Sequence, residues 1–453
     1  MLGAKKVDAT RGALVPLIIS FVIPLVLTTL FQQLFNAVDI AVLGNMADTT
    51  AVAAVGATGV VIHLMVDAFV GISSGAKIVL SRLFGKSDWQ ELRRTIDTSL
   101  IVAIVFGVVV AAGGLVLAPV ILEALQCPAE CLEAATLYIR IYLMSAPAMM
   151  LYNYGAAILT SLGDSVRPLY YAIASGALNV VLNVVLCFAL SQKVVAVAVA
   201  TAAAQVLAAA LMILRLRRLE GGLAVRMLKL RFNAKAFSQL MGFGIPLALQ
   251  TLIYPLANIQ ITAAINSYGV LCVAGDSAAS TMHKLTTSVR NAFGTAVATF
   301  MGQNIGVKRP ERVRASLLHS TWLALAICLP VAFLEWLLGP LWLQLFLGQD
   351  LVAIEFAMIR VRILNIFAFF VTMNAVLGNA IQAFGYPIFS TLNAVVWVLG
   401  FRVVWMRFIY PVHTSYTSLI GCFVVSWMLT FLCNAVILGV IYCRYHKGKY
   451  KRI

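Results

Sequence analysis

The chain has 453 residues and a formal net charge of +16, with 62% hydrophobic and only 11% charged residues. Soluble domains carry about 25% charged residues, so this composition excludes an ordinary water-soluble fold and indicates a polytopic membrane protein. The basic residues are spread over short loops without any soluble domain, which argues against nucleic-acid binding.

Stretches of about 20 apolar residues between basic breaks predict twelve membrane-spanning helices. The first six are predicted at residues 14-44, 51-80, 95-120, 135-160, 169-190 and 195-216. The second six are predicted at residues 237-265, 273-302, 316-339, 351-382, 389-410 and 417-443. The first apolar run is too long for the core of a signal peptide, so we expect it to remain as a helix.

The two halves of the chain repeat the same residues in the same order, 221 or 222 residues apart. The matching pairs are Pro24 and Pro246, Asn36 and Asn258, Gly85 and Gly306, and Gly163 and Gly385. Such an ordered series indicates two copies of one unit, as in many secondary transporters. Six helices per copy predict two parallel lobes around a central cleft, at residues 1-220 and 237-453, joined by a cytoplasmic linker at 221-236.

Lysine and arginine are concentrated on one set of alternate loops. Twenty-four of the 33 lie in the two tails and in the loops predicted on the same side, whereas Lys193 alone lies in the opposite loops. The positive-inside rule therefore predicts a multi-pass protein of the cell membrane with both termini in the cytoplasm.

The sequence does not predict ATP-driven transport, because it lacks the G-x-x-x-x-G-K-[ST] motif of nucleotide-binding P-loops. Uphill transport would then need an ion gradient and an intramembrane group that binds a proton or a cation. Asp39 is the best candidate, since a carboxylate near the middle of the bilayer costs about 2.5–3.5 kcal/mol and so indicates a function. The alternative is a carboxylate near the helix end that reaches the water at the lipid headgroups.

Helix geometry predicts partners for Asp39. Asn179 and Asn183 are four residues apart and share one face of the fifth span, and Thr201 lies near the same depth on the sixth. Together the four residues form a hard-oxygen set suited to a small cation, such as sodium, or to a proton-linked network. The alternative is that the asparagines and the threonine only hydrogen-bond helices to one another.

Nearly the whole chain resembles the multidrug and toxic compound extrusion (MATE) transporters. The resemblance rests on the order and spacing of PLVLTTLFQQLFNAVD, AVAAVGAT, SRLFGK, SLGDSVRP and GQNIG. It implies a cation-coupled exporter of organic cations, with alternating access of two six-helix lobes and proton or sodium antiport. It also implies a coupling-ion site in the amino-terminal lobe, at positions that match Asp39, Asn179, Asn183 and Thr201.

Some members of that family carry further acids on the seventh and tenth spans. This chain has Tyr254 in the first of these places and only Asn374, Asn379 and Gln382 in the second, which argues against a second cation site there. Aromatic and polar side chains elsewhere are candidates for lining a substrate cavity, although each also suits plain packing. They are Phe35, Asn36, His63, Asp67, Tyr152, Tyr254, Asn258, His283 and Asn374.

Two other functions are compatible with parts of the sequence. A lipid-linked precursor flippase of the same superfamily would have similar helices, and Gly71-Ile72-Ser73-Ser74-Gly75 formally matches the G-x-S-x-G motif of hydrolases. We expect no enzyme activity, no cofactor beyond the coupling ion, and a monomer. Cys127 and Cys131 are either free thiols or a disulfide.

Overall fold

The fold of the protein was obtained as a computed structural model, which describes residues 7–46, 49–125 and 127–447. These residues form long helices joined by short loops, and no strand occurs among them. Nine of the described helices are long and apolar enough to cross a membrane, and two bent helix pairs raise the number to eleven. The remaining predicted span, the eighth along the chain, corresponds to the helix Val270–Gly306. It is as long as the others but carries the charged residues Asp276, Lys284 and Arg290. The predicted all-α, twelve-helix membrane fold is confirmed.

The helices of the first half are α1 (Leu14–Met46), α2 (Thr49–Lys86), α3 (Trp89–Ala124), α4 (Ala129–Met144), α5 (Ala146–Ser161), α6 (Val166–Ala189) and α7 (Lys193–Arg217). Those of the second half are α8 (Ala234–Asn266), α9 (Val270–Gly306), α10 (Pro310–Leu347), α11 (Leu351–Ile366), α12 (Ala368–Ala383), α13 (Pro387–Ala394), α14 (Phe401–Val404) and α15 (Tyr416–His446). Two π-helical segments, Val395–Gly400 and Trp405–Ile409, continue α13 and α14 into one span.

Two of the predicted spans are broken in the middle. The fourth consists of α4 and α5, which meet at an angle of 45°, and the tenth consists of α11 and α12, which meet at 55°. Several helices also run past the apolar windows that predicted them, because charged residues such as Glu91 and Arg93 are good helix formers.

The duplication seen in the sequence is repeated in the backbone. Helices α1 and α8 each contain 33 residues and begin about 220 residues apart. Ser87 and Lys308 both adopt a left-handed φ of 56°, and Gly163 and Gly385 have φ values of 84° and 87°. Non-glycine residues rarely adopt this conformation, so its recurrence at the same turn of each half is a property of the repeat.

The described chain forms two compact units, and the boundaries between them fall inside α1 and α8 rather than in the linker. One unit is built around Ile23–Ile245, and the other combines Ala9–Val22 with the chain from Pro246 onward. Both divisions fall beside the repeated prolines, Pro24 and Pro246. These boundaries differ from the predicted 1-220, 221-236 and 237-453. We call the two the amino-terminal and the carboxy-terminal unit.

The GQNIG motif holds the segment that precedes α1. The Ala9 backbone N–H donates to Gln303 Oε1 at 3.0 Å, and the Ala9 carbonyl accepts from Asn304 Nδ2 at 3.1 Å and from Arg312 Nη2 at 2.9 Å. Gln303 and Asn304 are fully buried. The motif therefore has a structural role within the carboxy-terminal unit, since it fixes where α1 begins.

Candidate ion-binding site

Asp39 and Asn183 are joined directly in the amino-terminal unit. The fully buried Asn183 of α6 donates a hydrogen bond from Nδ2 to Oδ1 of Asp39, which lies half-buried on α1. A hydrogen bond to an ionised carboxylate is about twice as strong as one between neutral groups. The pair therefore fixes the carboxylate against α6.

Asn179 completes the contact one helical turn away. Its Nδ2 lies 3.3 Å from Oγ1 of Thr201, and Thr201 itself donates to the Val197 carbonyl at 3.0 Å. When the amide of Asn179 is rotated by 180°, its nitrogen lies 2.6 Å from Asp39 Oδ1 instead. The amide orientation is set by the hydrogen-bond network, so Asn179 can serve either the carboxylate or the hydroxyl.

Helix α6 can approach α1 closely because glycine occupies the facing position. A Cβ atom at Gly176 would lie 2.0 Å from Cδ2 of Phe35, which stands one turn before Asp39 on α1. Gly176 and Asn179 lie on the same face of α6, because residues three apart in a helix are neighbours. The sequence therefore provides both the space and the polar groups for this contact.

Two tyrosines of α4 also belong to the site, and the sequence analysis missed them. The rings of Tyr138 and Tyr142 are buried and stacked, with their centroids 6.2 Å apart. Tyr138 packs in one apolar cluster with Val42 of α1 and Leu186 of α6, so α4 lies against both helices of the site. Their spacing of four residues was a signal that they share one helix face, but nothing in the sequence said that this face meets α1.

The other candidates in the amino-terminal unit have different surroundings. Tyr152 is buried, and its hydroxyl donates to the Pro168 carbonyl at 3.2 Å, so it ties α5 to α6. Asn36 and His63 are exposed, and Asp67 is half-buried one turn beyond His63 on α2.

The candidates in the carboxy-terminal unit lie on three helices. Asn258 of α8 accepts a hydrogen bond of 2.5 Å from Arg402 Nη1, and Tyr254 lies one turn earlier on the same helix with 39% of its surface exposed. Asn374 of α12 donates to the Trp427 carbonyl at 2.9 Å, which ties α12 to α15.

His283 of α9 is held by two neighbours in that unit. Its ring stacks on that of Trp427, with centroids 6.0 Å apart and planes 9° from parallel. Arg290 Nη2 lies 3.1 Å from its Nε2.

Four buried or half-buried charged residues within the spans of the carboxy-terminal unit escaped the sequence analysis. They are Asp276 on α9, Glu335 on α10, Arg360 on α11 and Arg402 on α14. The analysis looked for acids on the seventh and tenth spans, whereas the two acids lie on the eighth and ninth. Mixed stretches such as FLEWLLG do reveal Glu335 as an acid within a span.

The G-x-S-x-G match is not a nucleophile elbow. Ser73 lies inside α2, where its hydroxyl donates to the Val70 carbonyl at 3.0 Å. A Cβ atom at Gly75 would lie 2.4 Å from the backbone nitrogen of Gly244, so the small residue allows two helices to touch. The motif is a packing feature.

Cys127 and Cys131 are both free thiols, so no disulfide joins them.

Comparison with known proteins identifies a matching family and several similar proteins. The profile of a family described as MatE matches residues 24–185 and 246–406. The probable multidrug resistance protein YpnP of Bacillus subtilis (strain 168) is 25% identical over 383 residues, which cover 84% of this chain and 85% of that protein. The multidrug export protein MepA of Staphylococcus aureus (strain bovine RF122 / ET3-1) is 23% identical over 254 residues, 56% of each chain.

The fold has close counterparts among solved structures. A crystal structure of a MATE in complex with MaL6 superposes with a TM-score of 0.88 and 20% identity, over 98% of this chain and 99% of that one.

Proposed function

Because the chain belongs to the MATE family of multidrug efflux transporters, we propose that it is a secondary active antiporter that exports organic cations in exchange for protons or sodium ions. The contact of Asp39 with Asn183 carries this proposal, since it is a carboxylate inside a membrane span held by a neighbouring helix. Intramembrane acids of this kind mark ion pathways. Export proceeds by alternating access, and the protein acts as a monomer.

Coupling to protons follows from the charge of Asp39. The ionised carboxylate accepts hydrogen bonds from amide N–H groups of α6, and protonation removes the charge that makes these bonds strong. Uptake of a proton therefore loosens the contact between α1 and α6. A ligand that changes this contact shifts the equilibrium between two conformations, which is what antiport requires.

Coupling to sodium is the second candidate, and one atom favours it. Asn183 Oδ1 is buried and has no hydrogen-bond partner within the described structure. A sodium ion could take this oxygen together with those of Asp39, Asn179 and Thr201, because hard cations prefer carboxylate, amide and hydroxyl oxygens. That arrangement needs the amide of Asn183 to turn its oxygen toward the ion.

The orientation and location of the chain complete the proposal. The multi-pass chain lies in the plasma membrane, and we place both termini in the cytoplasm, because the loops on that side carry nearly all the lysine and arginine residues outside the spans. A lipid-linked precursor flippase is less favoured, because the relatives are named for multidrug resistance and multidrug export.

Dye efflux in everted vesicles tests the function. Vesicles containing the wild type or Asp39→Asn receive ethidium under an imposed proton gradient or, separately, an imposed sodium gradient. We expect one gradient to drive ethidium transport by the wild type and neither to drive it in Asp39→Asn. Glu123→Gln, which removes an exposed carboxylate of α3, is the matched control and should transport normally. Absence of gradient-driven transport of any cationic dye by the wild type would contradict the proposal and favour the flippase.

A further inference from the structure

A small cavity lies between α9, α10 and α11 of the carboxy-terminal unit. Its volume is about 10 Å³, which is room for one water molecule. Polar and charged side chains form part of its wall, namely His283, Glu335, Arg360 and Asn365. Apolar side chains complete the enclosure. A cavity of this size with several polar partners is suited to hold water.

Glu335 lines this cavity, and both side chains that donate hydrogen bonds to its carboxylate are neutral. Thr286 donates from Oγ1 to Oε1 of Glu335, and Asn365 donates from Nδ2 to Oε2 at 3.2 Å. Within the described part of the chain, no lysine or arginine nitrogen lies within 4.0 Å of its carboxylate. A proton can therefore bind to Glu335 without breaking an ion pair.

Asp276, a second half-buried acid of this unit, shows the opposite arrangement. Arg360 Nη1 lies 2.5 Å from its Oδ1, and the hydroxyl of Tyr416 donates to the same oxygen at 2.7 Å. The guanidinium group of Arg360 also lies over the ring of Phe423. Asp276 is therefore half of an ion pair, and removing either partner would leave the other charge uncompensated.

His283 presents a neutral imidazole to the same cavity. A guanidinium group can only donate hydrogen bonds, so Nε2 of His283 accepts from Arg290 and the ring proton is on Nδ1. Arg290 contacts the ring directly and Arg360 lines the same cavity, so two guanidinium groups lie close to the imidazole.

The remaining charged groups on the packed helices do not compensate Glu335 at close range. Lys284 on α9 and Glu355 and Arg362 on α11 are exposed, α12 has no titratable side chain, and Cys328 lies buried on α10. Arg290 acts on Glu335 from beyond ion-pair distance. Its Nη2 is hydrogen-bonded to Thr287 at 2.7 Å and lies 3.1 Å from His283 Nε2, so it is held away from Glu335.

We propose that Glu335 is a second proton-binding carboxyl of the transporter, which exchanges its proton with water in the cavity that it shares with His283. The proton passes from a water molecule to a carboxylate oxygen and returns by the same route, so no other reactant is needed. The role of this proton in transport rests on the antiport function proposed above, since it would add a binding step in the carboxy-terminal unit.

Infrared difference spectroscopy of the purified protein in lipid tests this inference without transport. Spectra at acidic minus alkaline pH show the C=O stretch of each carboxyl that becomes protonated in an apolar site. We expect Glu335→Gln to lose one such band and Asp39→Asn to retain it. Glu355→Gln, the same change at an exposed position on α11, should leave the band in place. An unchanged spectrum in Glu335→Gln would overturn the inference.

The result separates this inference from the proposed function. If Asp39→Asn leaves the spectrum unchanged while Glu335→Gln removes a band, the carboxyl of Glu335 binds a proton and proton coupling through Asp39 fails, which leaves the sodium form of the proposed function. If Glu335→Gln does not fold, Thr286→Val provides the test, because it removes a donor to Glu335 and should shift the frequency of the band. A band that does not move in Thr286→Val would then count against Glu335.

Discussion

Arg402 donates a hydrogen bond of 2.5 Å to Asn258 across 144 residues of the chain. The bond from Asn183 to Asp39 in the other unit spans the same interval. Each bond joins the first helix of a repeat to its fifth span, but Asn258 is the repeat equivalent of Asn36, so the two contacts lie about one helical turn apart in the repeat. The chemistry differs, because one repeat places a carboxylate there and the other a guanidinium group. Only the amino-terminal contact can therefore bind a proton or a metal cation.

Replacing Asn183 by alanine should impair coupling without unfolding the protein. A hydrogen bond to a charged group contributes about 1.5–3 kcal/mol, and every 1.4 kcal/mol is a tenfold change in affinity. We therefore expect gradient-driven ethidium efflux to fall about tenfold or more in everted vesicles. Asn153→Ala is the control, because Asn153 Nδ2 bonds only the Met149 carbonyl of its own helix at 2.9 Å. Equal efflux in both variants would show that Asn183 does not serve the ion.

Removing the acceptor of Arg402 should destabilise the protein more than removing both partners. Asn258→Leu leaves a buried guanidinium group without that partner, whereas Asn258→Leu combined with Arg402→Met removes the charge as well. The thermal unfolding temperature in detergent should fall most in Asn258→Leu and recover partly in the double variant. The reverse order would mean that Phe423, whose ring centre lies 4.5 Å from the guanidinium carbon, suffices to stabilise the charge.

A methyl group at Gly75 should push two helices apart. The Cβ atom of alanine would lie 2.4 Å from the Gly244 nitrogen, and backbone cannot yield as a flexible side chain does. Overpacking of this kind costs about 1–3 kcal/mol. We expect Gly75→Ala to unfold at a lower temperature than Gly113→Ala, where nothing lies within 4 Å of the added atom. Similar unfolding temperatures would rule out the close approach.

Much of the fold could be predicted because a bilayer requires long apolar helices separated by polar or basic loops, and these are visible in the sequence. Apolar spans and basic breaks gave twelve helices, and the repeated Gly163 and Gly385 marked equivalent turns that require a left-handed conformation. The break at Phe367 could not be predicted, since neither a proline nor a glycine lies near it and the apolar run continues across it. The break at Ser145 did have a signal, because Pro147 stands in the first turn of α5, where proline is favoured. The division of α1 and α8 between units also escaped, because it depends on packing partners.

Only part of the candidate site could be predicted, because some of its residues are recognised only from the helices that pack beside them. Asp39 is an isolated acid in an apolar span, and Asn179 and Asn183 show the spacing of one helix face, so sequence alone connects them. Tyr138 and Tyr142 look like ordinary packing residues until α4 is seen beside the site. Glu335 was missed because its donors, Thr286 and Asn365, come from two other helices.

Cys127 offers a test of topology and of its own environment. Burial and the neighbouring Cys131 thiol raise the pKa of Cys127, and only the thiolate reacts with maleimide. An impermeant maleimide should therefore label Cys127 slowly in intact cells near neutral pH and faster as the pH rises, with Cys131→Ser speeding the reaction. Peptide mass spectrometry reads the modified site. Labelling of Cys127 in everted vesicles but not in intact cells would reverse the proposed orientation.

Antiport itself is measured most directly with purified protein in proteoliposomes that contain a pH-sensitive or a sodium-sensitive dye. An outward-to-inward ethidium gradient, with no ion gradient imposed, should drive protons or sodium ions out through the wild type. Asp39→Asn should show no such ion movement, and Glu123→Gln should behave as the wild type. Ion movement of equal size in the wild type and Asp39→Asn would contradict coupling through Asp39.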